Sequence, residues 1–175
     1  MATHGYSKYL ITPFWANRPE SYQNLEYIKE DFNDPESVAR WLAEGYANNF
    51  VGEMCDMRSP QPMWNERIIK AFGRYGWKDI GTSYYRMMPG TILPTHSDLY
   101  KKYVELFDLT GKEETIRRAV ILLEDWKEGH RLEICGDVIT NWVAGTVIEW
   151  TYDAPHMAGN VGELPRYTLQ VTGHV

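Results

Sequence analysis

The chain has 175 residues, 43% of them hydrophobic and 24% charged, which is ordinary composition for one globular domain and excludes a disordered chain. Eighteen basic against 24 acidic residues leave a net charge of −6, which counts against nucleic acid as the main partner, since phosphate neutralisation requires a basic surface. No apolar run reaches the roughly 18 residues of a membrane span, no basic-then-apolar leader opens the chain, and Cys55 and Cys135 are isolated thiols, so the expectation is a soluble cytoplasmic protein with no disulfide framework.

The aromatic segment before Asp34 has no regular period. Asp34 then offers a helix cap with Pro35 at the first helical position, and Val38, Trp41, Leu42, Tyr46 and Phe50 recur at helical spacing. Trp64, Ile68, Ile69 and Phe72 mark a second helix ending at Gly73 or Gly76. From Asp79 the pattern changes to strand and turn. Strands are predicted over Ile80 to Met88, Thr115 to Leu123, Arg131 to Cys135, Val138 to Trp142, Val147 to Tyr152 and Arg166 to Gly173. Pro89-Gly90, Gly129, Gly136-Asp137, Ala144-Gly145 and Gly159-Asn160 punctuate them, and Tyr100 to Phe107 reads as a short amphipathic helix or lid. The expected architecture is mainly β: a single domain over 1–175, with a jelly-roll core over 79–175 and helical support over 1–78 packed on one sheet.

Two histidines and a carboxylate stand out as candidate chemistry. His96 and Asp98 lie at i, i+2 in Pro94-Thr95-His96-Ser97-Asp98, a spacing that turns both side chains to one side of an extended segment. His156 follows 58 residues after Asp98, at the end of a predicted strand. Two imidazoles and one carboxylate on one face suit Fe(II) and leave coordination positions open. A His-x-Asp triplet alone is weak evidence, and isolated histidines are more often packed or solvated. The last strand adds weight. Alternation places Arg166, Thr168 and Gln170 on one face and Tyr167, Leu169 and Val171 on the other. A guanidinium facing a barrel interior needs an anionic partner, and its fork suits a carboxylate. A surface arginine on an edge strand, or one paired with an internal acid such as Glu149, is the alternative. His4, His130 and His174 read as exposed, Glu113-Glu114 and Glu124-Asp125 as solvated turns, and Cys55 as unreactive for want of basic neighbours.

The ordered set of His-x-Asp, a distal histidine and Arg-x-Thr ten residues later resembles the 2-oxoglutarate- and Fe(II)-dependent oxygenases, within them the aspartyl/asparaginyl β-hydroxylase group. The resemblance covers Tyr84 to Thr172. Pro89-Gly90-Thr91, Arg118-Ala119-Val120-Ile121-Leu122-Leu123, Lys127-Glu128-Gly129 and Trp142-Val143-Ala144-Gly145 fit it as well. It implies a double-stranded β-helix, the jelly roll already expected. It also implies iron held by His96, Asp98 and His156, and 2-oxoglutarate held by Arg166 and Thr168 with Arg118 and Tyr85. The implied reaction is hydroxylation of an amino acid or peptide side chain, consuming O2 and 2-oxoglutarate and releasing succinate and CO2. Two positions depart from the group's pattern: Asp98 stands where many members have Gly, and Val120 where many have His. The competing classes are a non-catalytic jelly-roll binding or structural module and a cupin-type metalloenzyme that ignores 2-oxoglutarate; Arg166 disfavours the latter. Arg86 and Arg117 are candidate substrate anchors by strand parity, and Tyr100 to Phe107 a candidate lid over the mouth.

Overall fold

A computed structural model describes residues 5–175 of the chain; His4 lies outside them. Eleven strands among the described residues form two sheets in which every pairing is antiparallel. The larger sheet runs β1 (Tyr6–Leu10), β9 (Thr146–Thr151), β6 (Ile116–Leu122), β11 (Arg166–His174), β4 (Lys78–Met87), β3 (Val51–Asp56) and β2 (Ile28–Asp31). The smaller runs β5 (Ile92–His96), β10 (His156–Asn160), β7 (His130–Ile134) and β8 (Asp137–Ile139).

Period-two alternation sorts the larger sheet into two faces. Tyr84, Ala119, Ile121, Val147, Leu169 and Val171 point outward into a core completed by Ile68 and Phe72 of helix α2 (Asn65–Arg74). Trp15, buried beside Trp64 in that core, donates its indole N–H to the Leu123 carbonyl at 2.9 Å. The inner residues Val120, Leu122, Ile148 and Trp150 meet Leu132, Ile134 and Ile139 of the smaller sheet. A cavity opens beside this second core, sharing Val120, Leu122, Leu132 and Trp150 with it.

Residues before Asp79 prove less helical than expected. Strands β1, β2 and β3 extend both sides of the larger sheet, and the two helices do not share one sheet. Helix α2 covers the outer face. Helix α1 (Pro35–Ala43) lies against β5 instead: Arg40 donates to the Thr95 carbonyl at 3.3 Å and Trp41 packs on His96. The helical spacing that ran on to Phe50 is broken at Gly45, whose φ of +93° is open to glycine at little cost. Phe50 returns onto Trp41 from the start of β3, with ring centroids 4.9 Å apart.

Strands β5 and β10 had no sequence prediction. Ile-Leu-Pro-Thr-His carries a proline, tolerated here because β5 is an edge strand, and His-Met-Ala-Gly-Asn has little strand propensity. The expected strand from Val138 to Trp142 is reduced to Asp137–Ile139, and Asn141 beyond it adopts a φ of +54°. No helix among the described residues is long and apolar enough to cross a membrane.

Tyr100 to Phe107 forms a short helix, α3 (Lys101–Leu106), tethered where the Tyr103 hydroxyl donates to the Asp79 carbonyl at 2.9 Å. Removing that hydroxyl in Tyr103→Phe is expected to cost about 1 kcal/mol. The check is a lower urea midpoint at an unchanged m value.

Candidate metal centre

His96 ends β5 and His156 begins β10, and the two are cross-strand partners. A register shift between His156 and Ala158 pairs the latter with Leu93, so β5 carries one residue more than β10 across that interval. The resulting bulge brings Leu93 and His96, three apart in sequence, onto the same cavity although simple alternation would part them. Asp98 lies just past the end of β5. One ligand atom from each of His96, Asp98 and His156 falls within 4.8 Å of the other two.

Both imidazoles have their orientation set from behind. His96 Nδ1 lies 2.7 Å from the Pro94 carbonyl and His156 Nδ1 3.0 Å from the Ala154 carbonyl. A carbonyl only accepts, so each Nδ1 carries the proton and each Nε2 presents a lone pair. The Nε2 atoms sit 3.9 and 3.8 Å from the Asp98 carboxylate. Burial, reinforced by His156, pushes His96 down to about 4, which keeps it the neutral imidazole a metal requires. For Asp98, burial opposes ionisation, but the Arg118 guanidinium at 3.3 Å and the two imidazoles outweigh it and hold the acid at about 2. Phe32 and Trp41 pack edge-on against the His96 ring at 4.9 and 5.7 Å, and Trp150 lies 5.0 Å from His156.

The three ligand candidates face a cavity of about 780 Å³ between the sheets. The inward stripe of β11, Arg166, Thr168, Gln170 and Thr172, lines it, as do Tyr85 and Arg118. Arg166 is 8% exposed. It donates from one terminal nitrogen to the Arg131 carbonyl at 2.8 Å, its Nε has no partner, and no carboxylate among the described residues pairs with it. Burial lowers it to about 10, leaving it charged at neutral pH. The alternative pairing with Glu149 is not formed; that carboxylate accepts from the Tyr9 hydroxyl at 3.0 Å. Thr168 is buried beside Arg166, and burial pushes the Tyr85 phenol up to about 12. Arg118 pairs with Asp98, donates to the Gln170 side chain and lies under the Tyr100 ring at 4.9 Å.

Several expectations about other residues are corrected. Arg86 points to the outer face, paired with Glu53 and stacked on Tyr27 at 4.6 Å. Arg117 caps the carbonyls of Glu114 and Ile116. Neither lines the cavity, because odd and even residues of β4 and β6 face opposite ways. His130 is buried, its Nε2 on the Leu164 carbonyl, and His174 pairs with Asp79 at 2.7 Å. Glu124 accepts from Tyr22, Gln23 and Lys127 and so closes the loop after β6. Phe32 and Trp150 also line the cavity, and sequence reasoning missed them as site residues; the run Val-Ile-Glu-Trp in a predicted strand was the only available signal for Trp150, while Tyr100 and Tyr103 line it from the segment expected as a lid.

No family model matches the sequence and no curated protein matches it. Solved structures do. A prolyl-4-hydroxylase from Pseudomonas putida superposes with a TM-score of 0.61 at 16% identity, covering 99% of this chain and 95% of that one. A 2OG-Fe(II) oxygenase family oxidoreductase from Burkholderia pseudomallei gives 0.55 at 13%, over 87% and 74%. The non-heme α-ketoglutarate-dependent epimerase SnoN from nogalamycin biosynthesis gives 0.53 at 15%, over 87% and 78%. The chain thus has the fold of solved 2-oxoglutarate- and iron-dependent oxygenases, a jelly roll of two antiparallel sheets with its His-Asp-His cluster at one end of the space between them.

Proposed function

We propose that this protein is an Fe(II)- and 2-oxoglutarate-dependent dioxygenase that hydroxylates an amino acid or peptide side chain, releasing succinate and CO2. The observation that carries the reading is Arg166: a buried guanidinium without a carboxylate partner, facing the same cavity as two imidazole Nε2 atoms and an ionised carboxylate. An unpaired buried charge is costly to keep, and a distal carboxylate of 2-oxoglutarate would neutralise it through charge-assisted hydrogen bonds, with the Thr168 hydroxyl as a further donor.

His96, Asp98 and His156 would hold the iron, and two imidazoles with one carboxylate leave positions for a chelating keto acid and O2. The bound iron would supply activation of O2 for oxidation of a substrate C–H bond. The chain's own part is orientation and exclusion of water. The Pro94 and Ala154 carbonyls fix the imidazole tautomers, Arg166 and Thr168 set the direction of the co-substrate, and Val120, Leu122 and Trp150 keep the adjoining wall apolar. The finer assignment to the aspartyl/asparaginyl β-hydroxylase group rests on the motifs from Pro89 to Thr168. Two free thiols, Cys55 and Cys135, fit the cytoplasm.

The test is an anaerobic Fe(II) titration followed by 2-oxoglutarate, then succinate measurement in air. Wild type is expected to bind one Fe(II) and to develop a metal-to-ligand charge-transfer band only when 2-oxoglutarate is added; His156→Ala is expected to show neither the band nor succinate. A wild-type protein without an iron site overturns the reading. One that binds iron but never responds to 2-oxoglutarate favours the cupin-type alternative.

A further inference from the structure

The charges lining the cavity do not balance, and the imbalance describes the substrate. At the rim, Glu30, Asp31 and Asp56 face Arg58, Lys101 and Lys102, three acids against three bases. Arg58 already pairs with Glu30 at 3.0 Å and with Asp56 at 2.7 Å. Deeper inside are one carboxylate, Asp98, and two guanidinium groups, Arg118 and Arg166. The interior therefore carries one net positive charge. Adding a divalent metal and a doubly charged 2-oxoglutarate leaves that charge unchanged. In a cavity screened from water, a lone cation is unfavourable until an anion joins it.

The surplus falls on Arg118. Its carboxylate partner is Asp98, at 3.3 Å, whose charge a bound metal would share. The distal carboxylate of 2-oxoglutarate would be taken by Arg166, whereas the Arg118 guanidinium reaches Asp98 and Gln170, the latter four residues along β11 from Arg166. Apart from Asp98, the polar side chains in contact with Arg118 are uncharged. The Gln170 side chain touches it, the Tyr85 hydroxyl contacts the Met54 sulfur at 3.9 Å, and the buried Tyr100 hydroxyl sits against both Arg118 and Asp98. Tyr100 also holds a φ of +49°, a conformation unfavourable for a side chain of its size unless its surroundings enforce it. That backbone lays its ring over Arg118 at the mouth.

We infer that the substrate carries a free carboxylate and a net charge of −1, and that Arg118, backed by Gln170 and Tyr100, anchors that carboxylate beside the metal. The inference rests on the oxygenase reading and adds the substrate class to it: small organic monoanions such as N-blocked amino acids, rather than internal residues of a peptide. It also moves Arg118 from the co-substrate, where the family resemblance put it, to the substrate.

The test uses Co(II)- and 2-oxoglutarate-loaded protein, titrated without O2 against N-acetyl-L-amino acids and the matching uncharged N-acetyl amides. Binding is read from the Co(II) d–d spectrum and the thermal midpoint. At least one acid is expected to bind about tenfold or more tightly than its amide. Arg118→Gln should erase that preference while still loading 2-oxoglutarate, and Arg118→Lys should restore part of it. The inference is overturned if no acid outperforms its amide, if the preference survives Arg118→Gln, or if Arg118→Gln loses 2-oxoglutarate instead. Failure of the wild type to load Co(II) and 2-oxoglutarate would strike the oxygenase reading itself, a separate outcome.

Discussion

Replacing Arg166 with methionine should yield a protein that is more stable and yet unable to hold 2-oxoglutarate. In the wild type the guanidinium is held inside the fold with one hydrogen bond to the Arg131 carbonyl and no counter-ion among the described residues. Methionine fills similar space without a charge to desolvate, and exchanges of buried ionic groups for apolar ones of like volume often stabilise by about 1–4 kcal/mol. The carbonyl left without its donor returns part of this, so a gain of about 1–3 kcal/mol is expected without ligand. The binding consequence has the opposite sign. Losing a buried charge-assisted pair costs about 2–5 kcal/mol of affinity, a fall of roughly 100-fold in 2-oxoglutarate binding at the Fe(II)-loaded site. Denaturant melts with and without 2-oxoglutarate separate the two effects. Wild type should gain about 2.7 kcal/mol at a ligand concentration 100 times its Kd, and Arg166→Met almost nothing. A variant less stable than wild type that still responds to 2-oxoglutarate would show that Arg166 serves packing alone.

Trp41→Ala should be among the most damaging substitutions in the chain, and its damage should reach the metal site. Trp41 is 1% exposed and wedged between Phe32, Phe50 and His96 at centroid distances of 4.7, 4.9 and 5.7 Å. Truncating a buried tryptophan costs about 3–5 kcal/mol, through lost transfer energy and the cavity left behind. Because one wall of that cavity would be the His96 ring, the imidazole loses the packing that restrains it, and disturbing such support typically weakens metal binding about 10- to 100-fold. Anaerobic Co(II) titration of Trp41→Ala and Trp41→Phe should rank wild type first, Phe second and Ala last. Equal metal affinity in all three, despite lower stability, would confine helix α1 to a structural role.

The chemistry-bearing stripe of β11 was legible because a strand has period two: once Arg166 to Gly173 reads as a strand, Arg166 and Thr168 must share a face opposite Leu169 and Val171, and the two faces meet the cavity and the outer core. The His-x-Asp pair was legible for a related reason, since an i, i+2 spacing in extended chain needs no knowledge of the fold. Local patterns also located helix α2 and most strands after Asp79.

What local pattern leaves open is which partner each surface meets. Strands β2 and β3, read as parts of an irregular or helical region, are strands because β4 offers an edge to β3 and β3 in turn offers one to β2, and β5 is a strand despite its proline because it lies at an edge. His130 and Glu124 were expected in solvent, yet Leu164, Tyr22 and Gln23 converge on them from 34 to 102 residues away. The same holds for the support of His96 by Trp41 and for the ion pair between Arg118 and Asp98. The sequence alone determined which residues share a face, because covalent geometry sets a strand's period. Tertiary structure alone decided which faces meet and which charges find partners, because burial and pairing depend on contacts between segments far apart in the chain.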